Sequence, residues 1–366
     1  MSTFLEKIFS GKTGKSVIGL DISSSSIKLV QLRKAHGRAI LETYGELSLG
    51  PYMGIERGRA TNLPPEKIAE ALKNLLVESK TTTRDCGASI PLSSSLISLL
   101  ELPTSNEKEI ESMVPIEIRK YLPVNISEVA LDWWVVPKDD ARTFEGDKPT
   151  LDTKTEVLTV SVHKGTISKY QSIIAASGLQ NSFFEVEVFS SIRSSLEPSL
   201  NPNLLIDLGA ATTKIYIVER GVIRDSHIIN RGSQDITQSI ASALSVSLEK
   251  AESLKRGEGD SFVEPKSVIE VENLVLADIF GEANRVILNY QKKRNKSIGK
   301  IVFSGGGAIL PGLADVLKRS FEMEASVADP FAKVEAPAFL HEVLKKAGPE
   351  FAVAIGVALR KLEETE

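Results

Sequence analysis

One pattern occurs twice in this chain: an apolar run, an aspartate, a few small or hydroxylated residues, a lysine and a second apolar run. The first copy reads Val17-Ile-Gly-Leu-Asp21-Ile-Ser-Ser-Ser-Ser-Ile-Lys28-Leu-Val-Gln31, and the second Leu204-Leu-Ile-Asp207-Leu-Gly209-Ala-Ala-Thr-Thr213-Lys214-Ile-Tyr-Ile-Val218. Aspartate and lysine keep the same seven-residue separation, and the copies lie 186 residues apart, Asp21 to Asp207. A duplication at that distance predicts two similar α/β domains. Each copy reads as a β-hairpin, with β-rich runs on either side of a tight turn.

Composition narrows the chemistry. With 366 residues there is room for two to four domains. Lys and Arg number 44 against 48 Asp and Glu, a net charge of −4, which argues against a dedicated nucleic-acid binder. A single cysteine, Cys86, allows no internal disulfide, and four scattered histidines give no zinc spacing, so an intracellular protein is expected. The apolar run Phe351–Leu359 is about half of the ~20 residues a bilayer span needs, and the opening residues lack a secretory pattern. Phe4, Leu5, Ile8 and Phe9 fall at helical spacing, but residues 1–14 are expected as a flexible lead rather than a membrane anchor.

The two turns suit an anion. Successive backbone N–H groups and hydroxyls in such a turn form a concave nest for phosphate oxygens, while an aspartate at the strand end can hold a hydrated Mg²⁺. Read alone, either copy is an ordinary hairpin with Asx and ST turns; the pairing favours a site between them. A third element, Ile301-Val-Phe-Ser304-Gly305-Gly306-Gly307-Ala308, is a strand entering a turn whose bare backbone lets a ring or phosphate approach closely. A fourth, Leu248–Arg256, reads as an exposed helix with Glu252 and Lys255 on one face. Gly11-Lys-Thr-Gly14-Lys15-Ser16 imitates a P-loop, but Phe9 stands where the first glycine is required and the strand follows instead of preceding.

In this order the four elements resemble the nucleotide site of the actin, DnaK and sugar-kinase superfamily. More closely, from Lys15 to Leu362, the chain resembles the PilM family of actin-like proteins of the type IV pilus assembly platform, relatives of FtsA. The resemblance implies an actin-like ATPase fold: two duplicated RNase H-like domains with an inserted small α+β, SHS2-like subdomain. It implies ATP and Mg²⁺ as cofactors. The first phosphate loop would comprise Asp21, Ser23, Ser24, Ser25, Ser26 and Lys28, and the second Asp207, Gly209, Ala210, Thr212 and Thr213, with Gly232 beyond it. Glu252 and Lys255 would also contact the cofactor, Gly305–Gly307 would lie in the adenosine loop, and Asp21 and Asp207 would hold the metal through water. Hinge elements correspond to Val186–Ser190 and Ala352–Leu359. Ser23 stands where the family has glycine, which removes easy access to positive φ. The third acid of the superfamily is left open between Glu185 and Glu187.

On this reading the first domain comprises residues 15–85, 177–202 and 341–366, the insert 86–176, the second domain 203–235 and 299–340, and an outer helical subdomain 236–298. Residues 63–79 form an amphipathic helix with Ile68, Ala71, Leu72, Leu75 and Leu76 in one stripe. In the insert, strands are expected around Ser89–Leu92, Ile97–Leu102, Val129–Val136 and Val157–His163, with a helix over Glu107–Tyr121. The charged stretch 136–155 reads as a loop, and Trp133 and Trp134 point to opposite faces. Thr237 is placed as N-cap of a helix from Gln238, and a long helix over 265–295 ends in a basic cluster.

The function implied is a cytoplasmic ATP-binding scaffold, peripheral at the cytoplasmic face of the inner membrane through its partners. Those partners would be the N-terminal cytoplasmic peptide of PilN, the PilN/PilO complex and, beyond it, the assembly ATPase; a homo-oligomer stays open. Nucleotide binding is expected, with weak or absent hydrolysis. The alternatives are an actin/kinase-superfamily ATPase with real turnover and an FtsA-like membrane-associated filament protein.

Overall fold

The computed structural model describes residues 14–137, 154–258 and 265–364. The N-terminal lead through Gly14 and the charged loop expected at 136–155 therefore lie almost wholly outside the described residues.

Two five-stranded sheets repeat one plan. In the first, β1 (Ser16–Ile22), β2 (Ser26–Ala35) and β3 (Arg38–Ser48) form an antiparallel meander, and β4 (Asp85–Ile90) and β8 (Gln180–Val186) add in parallel on the far side of β1. In the second, β9 (Asn203–Leu208), β10 (Thr213–Glu219) and β11 (Val222–Ile229) make the meander, and β12 (Lys300–Ser304) and β13 (Glu324–Val327) complete it in parallel. The seven-residue spacing now has a structural meaning. Asp21 stands opposite Lys28 in the β1–β2 register, and Asp207 stands opposite Lys214 in β9–β10. Side chains directly opposite on one face of a pair are close neighbours. The duplication is thus one of register as well as sequence.

Helices cover the sheets where the apolar stripes require it. The Pro65–Glu78 helix starts with proline in its first turn and buries Ile68, Ala69, Ala71, Leu72, Leu75 and Leu76 against the first sheet. Beside it the Lys164–Ala176 helix buries Tyr170, Ile173 and Ile174 in the same core. The third sheet, in the order β5 (Ser95–Leu102), β7 (Thr155–His163), β6 (Val129–Val135), is covered by the Glu107–Ile118 helix through Ile110, Val114 and Ile118. Trp133 packs beside this small core; Trp134 lies on the other side, edge-on to Phe189 at 5.4 Å.

These placements shift the expected borders. The insert runs from about 91 to 163, not 86 to 176, because Asp85–Ile90 is a central strand of the first sheet and the 164–176 helix packs in that sheet's core. The chain also returns to the first domain near 329, before 341: Phe331 and Val334 pack with Val17, Val30 and Leu32, and Glu335 pairs with Ile40 of β3. The helix expected from Gln238 begins at Ser233 and is capped by Gly232, so the 235/236 border falls inside it and Thr237 is a buried helical residue. The long helix spans Pro265–Arg294.

Two helices lie back to back between the main sheets. Ala352–Glu363 packs Ala354, Ile355 and Ala358 on the first sheet, and Glu187–Ser195 places Val188 on Leu205, Tyr216 and Val302 of the second. They meet at backbone distance, since a Cβ on Gly356 would lie 2.0 Å from the Ser190 carbonyl oxygen. Alanine would favour the helix by about 1 kcal/mol. Overpacking against fixed backbone outweighs that gain, so Gly356→Ala should lower stability by about 2 kcal/mol in chemical denaturation. Unchanged stability would show that this crossing can part without loss.

Candidate functional site

Both Asp–Lys pairs open into a single cleft of about 690 Å³ between the two sheets. Each phosphate-loop candidate turns in the same way: the Ser23 N–H donates to the Ser26 carbonyl at 3.0 Å, and the Gly209 N–H donates to the Thr212 carbonyl at 3.0 Å. Ser23 keeps a negative φ, as does Gly209, so the turn never needs the glycine-only conformation. The concern raised by Ser23 does not hold in its positive-φ form; its hydroxyl instead donates to the Ser26 carbonyl at 2.9 Å and tightens the turn.

The floor of the cleft is charged and buried. Lys214 pairs with Glu187 at 2.8 Å and with Asp207 at 3.3 Å, while Asp21 accepts a 2.9 Å hydrogen bond from the Ser89 hydroxyl. Burial raises the Asp21 carboxyl above its ordinary range, with Asp207 adding to it against the pull of Lys28 and Lys214. Burial also raises Glu187, despite Lys214. For Lys214 burial works against the charge, but Glu187 and Asp207 outweigh it and hold the ammonium firmly protonated. Lys28 is set similarly: its Nζ donates to Ser26 Oγ at 2.7 Å and pairs with Glu46, its cross-strand partner on β3, at 3.1 Å.

Of the two candidate glutamates, only Glu187 is placed in the cleft. Glu187 lines the cleft and also accepts the Leu92 backbone N–H at 2.7 Å. Glu185 faces away, held by Arg193 at 2.8 Å and Arg360 at 2.9 Å.

Asp21, Ser23–Ser26, Lys28, Asp207, Gly209, Ala210, Thr212, Glu252, Lys255, Gly305 and Gly306 all line the cleft. Thr213, Gly232 and Gly307 do not. Thr213 is fully buried and donates to the Arg231 carbonyl at 2.8 Å. Gly232 lies behind the second loop, where a Cβ would come 2.3 Å from the Ala210 carbonyl oxygen, and Gly307 packs against Leu208. They shape the loops from behind. The 248–255 helix is not the exposed one expected: Glu252 and Lys255 are each 5% exposed, joined at 2.6 Å, and share the Thr237 hydroxyl at 2.7 and 2.8 Å. Burial lowers Lys255 despite Glu252.

Sequence reasoning missed Glu46, Arg57, Lys214 as a cleft residue, Arg256 and Glu350, which also line it. Glu46 was legible in principle, since the meander puts it opposite Lys28; Glu350 arrives only through tertiary folding. Among the described residues no three metal-ligating side chains converge.

The sequence profile of the type IV pilus assembly protein PilM family matches residues 19–362. The chain belongs to that family. It is 22% identical over 360 residues to the cell-division protein FtsA of Enterococcus faecalis, covering 87% of this chain and 79% of that protein. Among solved structures, a PilM–PilN type IV pilus biogenesis complex superposes with a TM-score of 0.77 at 23% identity, over 94% of this chain and 98% of that one. The ethanolamine utilization protein EutJ of Carboxydothermus hydrogenoformans gives 0.56 at 15% identity, covering 94% and 89%. MreB5 of Spiroplasma citri bound to AMPPNP gives 0.52 at 10% identity, covering 96% and 97%. The fold is actin-like.

Glu46 and Glu350 share a hydrogen bond within the cleft. Burial resists ionisation of Glu46, but Lys28 outweighs it and lowers that carboxyl; burial and the Glu46 charge push Glu350 up to about 7. Because the folded-state pKa of Glu350 lies above its ordinary 4.5, the folded protein keeps the extra proton in that window. The contribution of Glu350 to stability therefore falls as pH rises from about 4.5 to 7. Glu350→Gln removes this decline, so the variant should gain about 2 kcal/mol on wild type between about pH 5 and pH 8. Denaturation curves at the two pH values check it, and parallel behaviour would place Glu350 in solvent.

Proposed function

We propose that this chain is an ATP-binding scaffold of the type IV pilus assembly platform. On this reading it binds the N-terminal cytoplasmic tail of PilN and links the PilN/PilO inner-membrane complex to the assembly machinery from the cytoplasmic face. The observation that carries the nucleotide reading is the pair of identical Asp–Lys registers facing one cleft. Support for PilN comes from family membership and from the likeness to the PilM–PilN complex. Among the described residues no helix is long and apolar enough to cross a membrane.

The residues fit a magnesium nucleotide. Ser23–Ser26 and Gly209–Thr212 would present hydroxyls and backbone N–H groups to the phosphates. Asp21 and Asp207 would hold a hydrated Mg²⁺, which commonly keeps its waters and takes only one or two carboxylates. Glu252 and Lys255 would meet the ribose. Gly306 would face the adenine, since a Cβ there meets nothing within 4 Å and the space above it is open. When bound, MgATP supplies phosphate charge that both domains contact and a phosphoanhydride bond. Glu187 would be the candidate acid for that chemistry, yet one of its oxygens already accepts from both Lys214 and the Leu92 N–H. An acid engaged in this way orients poorly as a base, which supports slow or absent hydrolysis.

Calorimetric titration tests the reading. Asp207→Asn leaves Lys214 its Glu187 partner, so melting without nucleotide should stay within a few degrees while MgATP affinity falls more than about tenfold. Gly306→Val fills the open space and should abolish binding; wild-type affinity in both variants would remove the site. Brisk phosphate release in the same sample would favour the ATPase alternative.

Glu187 also connects the cleft to the insert, because Leu92 begins it. A PilN tail peptide should therefore bind about tenfold differently with and without MgATP, within the usual range of allosteric coupling, and Glu187→Gln should reduce that difference. Equal affinity with and without nucleotide would limit the protein to an uncoupled scaffold.

A further inference from the structure

The segment between β3 and the Pro65–Glu78 helix crosses the mouth of the cleft. Both its ends are fixed to the first phosphate loop: the Leu49 N–H donates to the Ser25 carbonyl at 2.9 Å, and the Thr61 N–H and hydroxyl donate to the Ser24 carbonyl at 2.8 and 2.9 Å. Tyr52 adds an anchor, its hydroxyl accepting from Asn74 of the following helix at 2.6 Å. A compact loop with its ends held together in this way moves about its base as a unit.

Its tip reaches the other domain with much less. The Ala60 N–H donates to Gln234 Oε1 at 3.2 Å, and Gly58 rests on the Glu252 carboxylate, where a Cβ would come within 2.7 Å. Below the tip a second cavity of about 340 Å³ separates residues 54–57 from the 248–255 helix. Gly54 and Gly58 both have positive φ, 71° and 80°, so the tip is bounded by residues able to change conformation cheaply. Arg57, Gly58, Thr61 and Asn62 line the nucleotide cleft itself.

From this asymmetry of firm base and light tip, we infer that residues 49–61 form a strap that closes over the nucleotide and sets its rate of release. This rests on the cleft being a nucleotide site. The strap bridges the first phosphate loop and Glu252, the two ends of the bound molecule, so release requires the tip to leave Gln234 and Glu252 while the base stays on Ser24 and Ser25. One neutral hydrogen bond is a small barrier, of the size a gate requires.

The test is stopped-flow release of a fluorescent ATP analogue from the full chain with Mg²⁺. Gly58→Ala places a methyl group against the Glu252 carboxylate at a strained φ, and Gln234→Leu removes the tip hydrogen bond without altering the cleft lining. Each should speed release roughly fivefold to tenfold, the value of one net hydrogen bond or somewhat more. Wild-type release in both variants, with binding intact, overturns the strap alone. Failure of wild type to take up the analogue removes the nucleotide reading and the strap with it. Because Gly58→Ala can perturb folding, amide exchange of residues 55–61 in wild type gives an independent measurement: MgATP should slow it about tenfold, and equal exchange with and without nucleotide overturns the proposal.

Discussion

Lys214 makes the centre of this molecule possible. Asp21, Asp207 and Glu187 lie on one cleft floor, each less than a tenth exposed, and carboxylates so placed repel one another and lose hydration. Lys214, opposite Asp207 across two strands, reaches Glu187 as well and satisfies both. Glu187 can therefore remain at the head of its helix and accept the Leu92 N–H. The strand pair, the Glu187–Ser195 helix and the root of the insert are thus tied to one ammonium group. Removing it would leave uncompensated buried charge, which costs far more than the pair itself contributes.

The two halves share a register but have diverged in what completes it. On the second sheet, Lys214 takes its extra acid from the hinge; on the first, Lys28 takes Glu46 from the next strand. Glu46 brings Glu350 with it, and the two carboxyls share a hydrogen bond between β3 and the turn before the Ala352–Glu363 helix. That turn also accepts the Gly305 N–H through the Pro349 carbonyl at 2.9 Å. The first candidate phosphate loop and the triple-glycine loop are therefore linked by a short polar path through Lys28, Glu46 and the turn at 348–351.

Much of this was legible in the sequence for a specific physical reason. A hairpin converts sequence spacing directly into cross-strand register, so the Asp–Lys spacing carried the duplication and the two pairs that line the cleft, while the fold was read from the resemblance. The Pro65–Glu78 helix was legible because its stripe repeats with the helical period. Where the reading failed, the signal was tertiary. Asp85–Ile90 is a short apolar strand that nothing local distinguishes from a strand of the insert, and only its pairing with β1 places it. Glu252 and Lys255 read as a surface pair because i,i+3 spacing is the same whether the helix face is wet or covered; Thr237, arriving from the preceding helix, is what covers it. Gly232 and Gly307 read as ligand-facing glycines, but their missing Cβ admits protein backbone and Leu208.

The remaining question is how little must change for the cleft to open. Between the sheets, Gly356 brings the Ala352–Glu363 helix to backbone distance of Ser190 on the Glu187–Ser195 helix. At the mouth, the strap holds the second domain by one neutral hydrogen bond and one glycine contact. The insert is constrained differently. Its chain enters and leaves through the first domain, yet Glu156 on β7 pairs with Arg224 of β11 and with Arg294 at the end of the long helix, both in the second. The two sheets are therefore joined by buried charge at the cleft floor, by a light contact at its mouth and by this ion cluster at the insert.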